Sequence, residues 1–339
     1  MKRIGYLLTE ETVTLDACKL AILRAARGKH RRVSVRKTLA QLDRATERLR
    51  DLVLTGAYQP SPYIKCDIID QPSGKQRVLH KPRFFPDQCV HHLIISLMGN
   101  ALMRRLDPYC IASIPSRGTH YGHRAIRRWL QQDKRGTKYC LKCDVKKCYD
   151  NIRPAVVVAS IARFVKDKKF LQLISKVAYS HPTLPLGNYT SGWFQNILMA
   201  VVDRLVRAYK ATSHYLRYVD DFIVLSGNKR KLHALVPFIK EWLAKIGLTL
   251  KENWQVFPVD VRGIDMLGYR FFRKYTLMRK RNVLAIMRMV RDYLRSPTPF
   301  RSRSLLSRVG QCRWFSSYNF WQKYCAKLNF KRMKRRAYP

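Results

Sequence analysis

The sequence predicts an α+β fold in which antiparallel strands are backed by helices, and three observations carry that expectation. Two apolar runs, Tyr215-Leu216 and Phe222-Ile223-Val224-Leu225, flank a tight turn and read as a hairpin. A second pair, Ile64–Ile69 and Gln76–His80, flanks Pro72-Ser73-Gly74-Lys75 in the same way. The long stretches between them space leucine, isoleucine and valine at helical intervals.

From the amino end, residues 12–56 read as helical. Leu15, Leu20, Leu23, Leu39, Leu42, Leu49 and Leu52 recur among basic residues until Gly56-Ala57-Tyr58-Gln59-Pro60 breaks the run. After the Gly74 hairpin, Pro86-Asp87-Gln88 opens an apolar helix to about Leu106, with Val90, Ile94, Leu97 and Leu102 offering a packing face. A basic helix with Arg124, Arg127 and Arg128 follows Ser113–His120, and Tyr139–Asp144 reads as a short strand ending in an acid. Next, Thr190 or Ser191 is placed to cap a helix whose Ile197, Leu198, Val201, Val202, Leu205 and Val206 form a core face.

Beyond the second hairpin, Leu232–Ile246 reads as an amphipathic helix ended by Gly247, and Gly263–Phe271 as a strand. From Phe271 onward the chain carries 19 lysines and arginines against one acid, Asp292. Two apolar sets there, one from Leu284 to Leu294 and one from Leu305 to Phe320, predict a small helical module with basic flanks. These changes of character divide the chain into residues 1–135 (its apolar helix at about 86–106 belonging with the next unit), 136–275 with an insertion at about 153–183, and 276–339.

Sixty-seven Lys and Arg oppose 22 Asp and Glu, a formal net charge of +45 on 339 residues, so a polyanionic partner held through its phosphates is expected. Hydrophobic residues make up 47%, which supports real cores rather than a basic tail. No apolar run reaches about 18 residues and no signal-peptide pattern follows Met1, so no membrane partner and a cytoplasmic location are expected. The nine cysteines read as reduced thiols; Cys140-Leu141-Lys142-Cys143 has zinc-like spacing, but without a second pair the thiols are expected to pack in the core.

Asp220 and Asp221 set two like charges at the end of a half-buried hairpin, where a divalent cation with oxygen ligands is the usual remedy. Asp144 ends a separate strand, and Tyr149 follows it five residues later. In nucleotidyl transfer, two Mg²⁺ ions about 3.5–4 Å apart clamp the attacking hydroxyl, the α-phosphate and the leaving pyrophosphate, and carboxylates from two strands hold them. Asp144, Asp220 and Asp221 make such a set. The D-x4-Y spacing followed by Tyr218-Val219-Asp220-Asp221 resembles the reverse-transcriptase family.

That resemblance implies a right-hand polymerase with fingers, an antiparallel palm and a helical thumb, acting on template RNA, cDNA and dNTPs with two Mg²⁺ ions. It makes Asp144 and Asp220 the principal metal ligands, the Val145 carbonyl a backbone ligand, Asp221 a supporting carboxylate and Tyr149 the gate against a ribose 2′-OH. The G-K-x-R hairpin assigns Lys75 and Arg77 to the incoming triphosphate, which a guanidinium grips in bidentate fashion. Ser113–His120 assigns Arg117 to the template, and Lys251 becomes the acid that protonates pyrophosphate. Gly263–Phe271 resembles the primer-grip strand, with Gly268 and Tyr269 beside the primer, and Ser307–Trp314 a thumb segment.

Leu184–Asn196 narrows the resemblance. Most of the family has Gln where this chain has Leu186, before Gly187, and Pro where it has Gly192; Leu186-Gly187-Asn188 is similar to the reverse transcriptases of diversity-generating retroelements, within the group II intron-like superfamily. Leucine cannot tie the nascent base pair by a hydrogen bond, so low fidelity follows. The resemblance implies adenine-mutagenic cDNA synthesis in mutagenic retrohoming, a bacterial or phage source, and a small basic oligomeric accessory variability protein as partner. A retron, group II-like or phage-defence reverse transcriptase is the alternative, and an inactive RNA-binding scaffold a further one. The short stretch after the thumb leaves no expected RNase H.

Overall fold

The computed structural model describes residues 3–70 and 74–338. The expected single helical run at the amino end is three helices, α1 (Leu15–Ala26), α2 (Val33–Ala40) and α3 (Leu42–Leu54). Thr14 caps α1 by accepting from the Ala17 amide; the extended backbone of Arg32 and the non-helical Gln41 break the run. β1 (Ile64–Asp70) and β2 (Lys75–Lys81) form the predicted antiparallel hairpin. α4 (Cys89–Met103) is the apolar helix, followed by α5 (Thr119–Gln132) and β3 (Tyr139–Asp144).

α6 (Cys148–Asn151), α7 (Pro154–Ala162) and α8 (Lys168–Ala178) precede the long α9 (Tyr189–Ala208). Neither Thr190 nor Ser191 caps α9, because both lie inside it: the Ser191 hydroxyl turns back to donate to the Pro185 carbonyl at 2.8 Å. β4 (His214–Tyr218) and β5 (Asp221–Ser226) form the aspartate hairpin, followed by α10 (Lys229–Ala244), β6 (Gln255–Pro258) and α11 (Val259–Arg262).

The expected strand Gly263–Phe271 is instead a hairpin of β7 (Ile264–Met266) and β8 (Tyr269–Phe271), extended by β9 (Thr276–Met278). Its two-residue turn, Leu267-Gly268, has φ of 55° and 88°, the left-handed pair that hairpin twist favours and that glycine adopts without cost. The carboxy-terminal helices are α12 (Lys280–Arg295), α13 (Pro299–Val309), α14 (Tyr318–Phe320) and α15 (Phe330–Ala337).

The central sheet has strand order β4-β5-β3-β6, all antiparallel. Alternation along β5 sends Phe222 and Val224 into a core shared with α4, α9 and the amino-terminal helices, and Ile223 and Leu225 into a second core with α5 and the carboxy-terminal module. Burial on both faces explains the near-continuous apolar run, and each such side chain is worth about 1.5–3 kcal/mol. This is a right-hand polymerase fold: a palm sheet between a fingers hairpin and a helical thumb.

All nine cysteines are free and eight are buried, so the thiols pack in the cores as expected. Burial raises the Cys140 and Cys143 pKa values, and these side chains point to opposite cores, which precludes a zinc pair. Among the described residues no helix is long and apolar enough to cross a membrane.

Candidate active site

Register brings the acids together. Asp144 at the end of β3 stands directly opposite Asp221 at the start of β5, and Asp220 occupies the β4–β5 turn. The Val145 amide donates to the Asp220 carbonyl at 3.1 Å, tying the two strand ends to each other. The turn is strained: Val219 has a φ of 59°, a conformation its branched side chain disfavours.

Two lysines neutralise part of this charge. Lys251 Nζ lies 2.7 Å from Asp144 Oδ2 and its amide donates to the Asp144 carbonyl at 2.8 Å. Lys142 Nζ lies 3.7 Å from Asp221 Oδ2 and donates to the Asp265 carbonyl at 2.6 Å. Burial, with Asp144 close by, raises the Asp220 pKa. Burial also pushes Asp221 up to about 6, against the opposing pull of Lys142.

Asp144 Oδ1 and Asp221 Oδ1 are buried with no hydrogen-bond partner. Such orphaned carboxylate oxygens suit a hard divalent cation. Among the described residues, however, no three His, Cys, Asp or Glu side chains gather into a metal cage, so the expected three-carboxylate set is not closed. Mg²⁺ usually takes one or two carboxylates and completes its shell with water and substrate phosphate, so Asp144, with Asp220 on the adjoining turn and Asp221 opposite it, fits the ion at an open cleft.

The cleft has a volume of about 1170 Å³ and gathers residues from all three parts of the fold. Asp144, Asp220, Asp221 and Lys251 form its floor, Arg77 and His80 come from the fingers hairpin, and Arg279, Asn282, Arg308 and Gln311 come from the thumb. The Lys75 side chain lies outside the described residues. Tyr149 and Leu186 line the wall, and burial raises the Tyr149 hydroxyl pKa.

Gly187 joins fingers to palm. A Cβ there would sit 2.4 Å from the His80 carbonyl oxygen, its φ is 129°, and the His80 amide donates to the Leu186 carbonyl at 2.8 Å. At Gly192 a Cβ would come 2.5 Å from Ser113 Oγ and 3.9 Å from the Tyr149 hydroxyl, so Ser113 fills the space a larger residue would need.

One expectation changes. Arg117 is absent from the cleft wall because its guanidinium donates to the Asp107 carbonyl at 2.8 Å; Thr119 and His120 take its place. Tyr269 lines the cleft, while most of its ring is buried in the second core and its hydroxyl donates to the Gln311 carbonyl at 3.4 Å. Gly268 lines the cleft beside it.

Sequence reasoning missed the support beneath the turn. Arg217, fully buried, makes a bidentate pair with Asp203, both contacts at 2.7 Å, and donates to Asn196 Oδ1 at 3.0 Å and to the Val219 carbonyl at 2.9 Å. The legible signal was a charged residue in an apolar strand, which demands a buried partner. It also missed the His80–His181 pair, whose ring centroids are 4.4 Å apart on the cleft wall.

The family model for reverse transcriptase (RNA-dependent DNA polymerase) matches residues 89–271, more than half of the chain. The chain belongs to the reverse transcriptase family. The matched stretch of this family member contains Asp144, Tyr149, Leu186, Asp220, Asp221 and Lys251; the fingers hairpin precedes it and the thumb follows. The chain is 25% identical over 218 residues to the group II intron-encoded protein LtrA of Lactococcus lactis subsp. cremoris, covering 60% of this chain and 36% of LtrA. It is 29% identical over 124 residues to the putative COX1/OXI3 intron 1 protein of Saccharomyces cerevisiae, covering 32% of this chain and 13% of that protein. The match therefore spans little more than a third of LtrA and about an eighth of the yeast protein. A solved telomerase from Candida albicans, in complex with a fragment of telomeric RNA, is 13% identical, with 81% of this chain and 57% of that chain covered at a TM-score of 0.47.

Proposed function

We propose that this chain is an RNA-directed DNA polymerase, and one observation carries the reading. Asp144 and Asp220 lie together at the floor of a cleft whose lining also carries Lys251 beside them and Arg77, Arg279 and Arg308 around them. An anionic floor within a cationic wall suits a reaction in which cations join carboxylates to polyphosphate.

The primer 3′-hydroxyl oxygen bonds to the dNTP α-phosphorus as the bond from that phosphorus to the bridging oxygen breaks. Pyrophosphate leaves with the electron pair, and the hydroxyl proton passes to solvent. Bound Mg²⁺ supplies stabilisation of the accumulating charge. Asp144 and Asp220 would hold it; Arg77 orients the triphosphate, Lys251 holds a proton at Nζ beside the departing pyrophosphate, and Tyr149 closes the wall against a 2′-hydroxyl. Asp221, leaning towards Lys142, supports the floor.

Within the family, Leu186 favours a low-fidelity enzyme of the diversity-generating type, making adenine-mutagenic cDNA with a small basic accessory protein and a structured RNA as partners. Leucine on the cleft wall supplies shape but no hydrogen bond to the nascent pair, and one lost bond is worth about 0.5–1.5 kcal/mol. A group II-like enzyme is the second reading, favoured by the curated relatives.

Extension of a primer on an RNA template containing all four bases, offered one dNTP at a time, tests both levels. Misincorporation concentrated opposite adenine supports the diversity-generating reading. Accurate extension leaves a polymerase of the group II type. No extension with accessory protein and cognate RNA present contradicts the proposal and turns it towards a binding scaffold.

A further inference from the structure

A second groove, of about 860 Å³, opens on the thumb away from the catalytic cleft. The helical repeat places Arg303, Leu306, Ser307 and Gly310 along one stripe of α13 and its short 3₁₀ continuation. Arg308, which lines the catalytic cleft, projects about 140° further round the helix. One helix therefore serves two different surfaces.

The groove has an aromatic floor and a cationic rim. Trp321 and Phe330 stack with ring centroids 5.4 Å apart and planes 11° from parallel, beside Leu306 and Val309. Arg303, Arg313, Lys334 and Arg335 surround them, and among the described residues no acid lines the groove. Tyr338 stands at its edge with 71% of its surface exposed. Aromatic exposure of this degree recurs on the same module, at Phe300 (71%) and Tyr318 (76%).

This chemistry selects among polyanions. A duplex shows a phosphate surface and hides its base faces, so it would use the rim and leave the rings idle. An acidic protein surface would likewise meet the cations alone. A single strand offers both parts at once: base faces that stack on aromatic rings and phosphates that pair with guanidinium and ammonium groups. Stacking is worth about 1–3 kcal/mol per base.

We propose that this groove is a second nucleic-acid site that holds an unpaired stretch of RNA outside the catalytic cleft. The choice of RNA rests on the polymerase reading above, in which a long RNA template must be held beyond the few nucleotides engaged by the palm. The stretch crosses the Trp321–Phe330 floor and is fastened by Arg303 of α13 and Arg335 of α15.

The test uses the full chain, a fluorescein-labelled 12-nucleotide oligouridylate and a matching oligothymidylate, with R303E/R335E and W321F as variants. Expected results are a tenfold or greater loss of oligouridylate affinity in R303E/R335E and a fall in the salt slope of about 1.4, the loss of two phosphate contacts. Quenching of tryptophan emission on oligouridylate binding should fall in W321F, with the remainder coming from Trp314, which stacks on the cleft residue His120. Primer extension on a short template that ends within the cleft should be unchanged in both variants. Unchanged affinity and slope in R303E/R335E would overturn the site, as would quenching undiminished in W321F. A loss confined to oligothymidylate, with oligouridylate affinity unchanged, would overturn the assignment to RNA. Because oligonucleotide binding is read without catalysis, a wild-type chain that binds but never extends would sink the polymerase reading and leave the groove standing.

Discussion

Arg217 donates to the carbonyl of Val219 at 2.9 Å, so the fully buried guanidinium of β4 holds the strained residue that aims Asp220. The same guanidinium is locked by Asp203, whose other contact, with the Tyr215 hydroxyl, braces it from the strand side. A buried ion pair is weak evidence of stability, because desolvation opposes the attraction. Its evident product here is the shape of a turn.

R217M alone should destabilise the chain by about 3–5 kcal/mol, since Asp203 is left charged and unpaired in the core. D203L/R217M should recover most of that loss, because apolar replacement of a buried pair is often neutral. Urea unfolding measures both. Primer extension should stay at least tenfold down in the double variant, because Val219 has lost its anchor. Recovery of stability and activity together would reduce the pair to a structural role.

Asp221 sets a pH dependence whose sign is fixed by burial. Its folded pKa, about 6, lies above the ordinary value, so its contribution to stability is fully present below about pH 4 and is lost as pH rises through about 6. The raised Asp220 pKa acts in the same direction. Without divalent metal, unfolding free energy should therefore fall across this window by up to about 1.4 kcal/mol per pH unit for each group. D221N should remove its share of the slope, and denaturant titrations at pH 4, 5, 6 and 7 read it directly.

Gly187→Ala should detach the fingers hairpin from the palm. The new Cβ meets the His80 carbonyl oxygen, which is backbone and cannot swing aside, and the φ of 129° suits no larger residue. The dNTP KM should rise by about tenfold while affinity for a template–primer duplex changes little. Steady-state kinetics beside duplex-binding anisotropy separates this outcome from general unfolding, which would lower both.

Leu186→Gln offers a hydrogen-bonding group to the nascent base pair. Misincorporation opposite template adenine, relative to correct insertion, should fall by about two- to tenfold, the range a net bond of 0.5–1.5 kcal/mol allows. An unchanged ratio would place the control of fidelity elsewhere in the cleft.

The sheet and its acids were legible because Asp144, Asp220 and Asp221 terminate short apolar runs, and only a hairpin fits two such runs across a two-residue turn. Helix limits were less so: Thr190 and Ser191 look like caps, yet packing drew both into α9. Leu267-Gly268 hid a turn inside an apparent strand, since Leu at positive φ carries no sequence signal. Arg117 shows the limit for contacts, because its residue type gave its charge but not the Asp107 carbonyl that holds it. Thumb residues such as Asn282 and Gln311 reach the cleft only through tertiary packing, which no local spacing encodes.

The most direct measurement is single-turnover primer extension on an RNA template with Mg²⁺, comparing wild type with Asp144→Asn and Asp220→Asn at matched unfolding stability. Each substitution should lower the extension rate by at least a thousandfold while duplex affinity stays within a few-fold of wild type. Extension that persists in either variant would contradict the assignment of Asp144 and Asp220 as the metal-holding pair of an RNA-directed DNA polymerase.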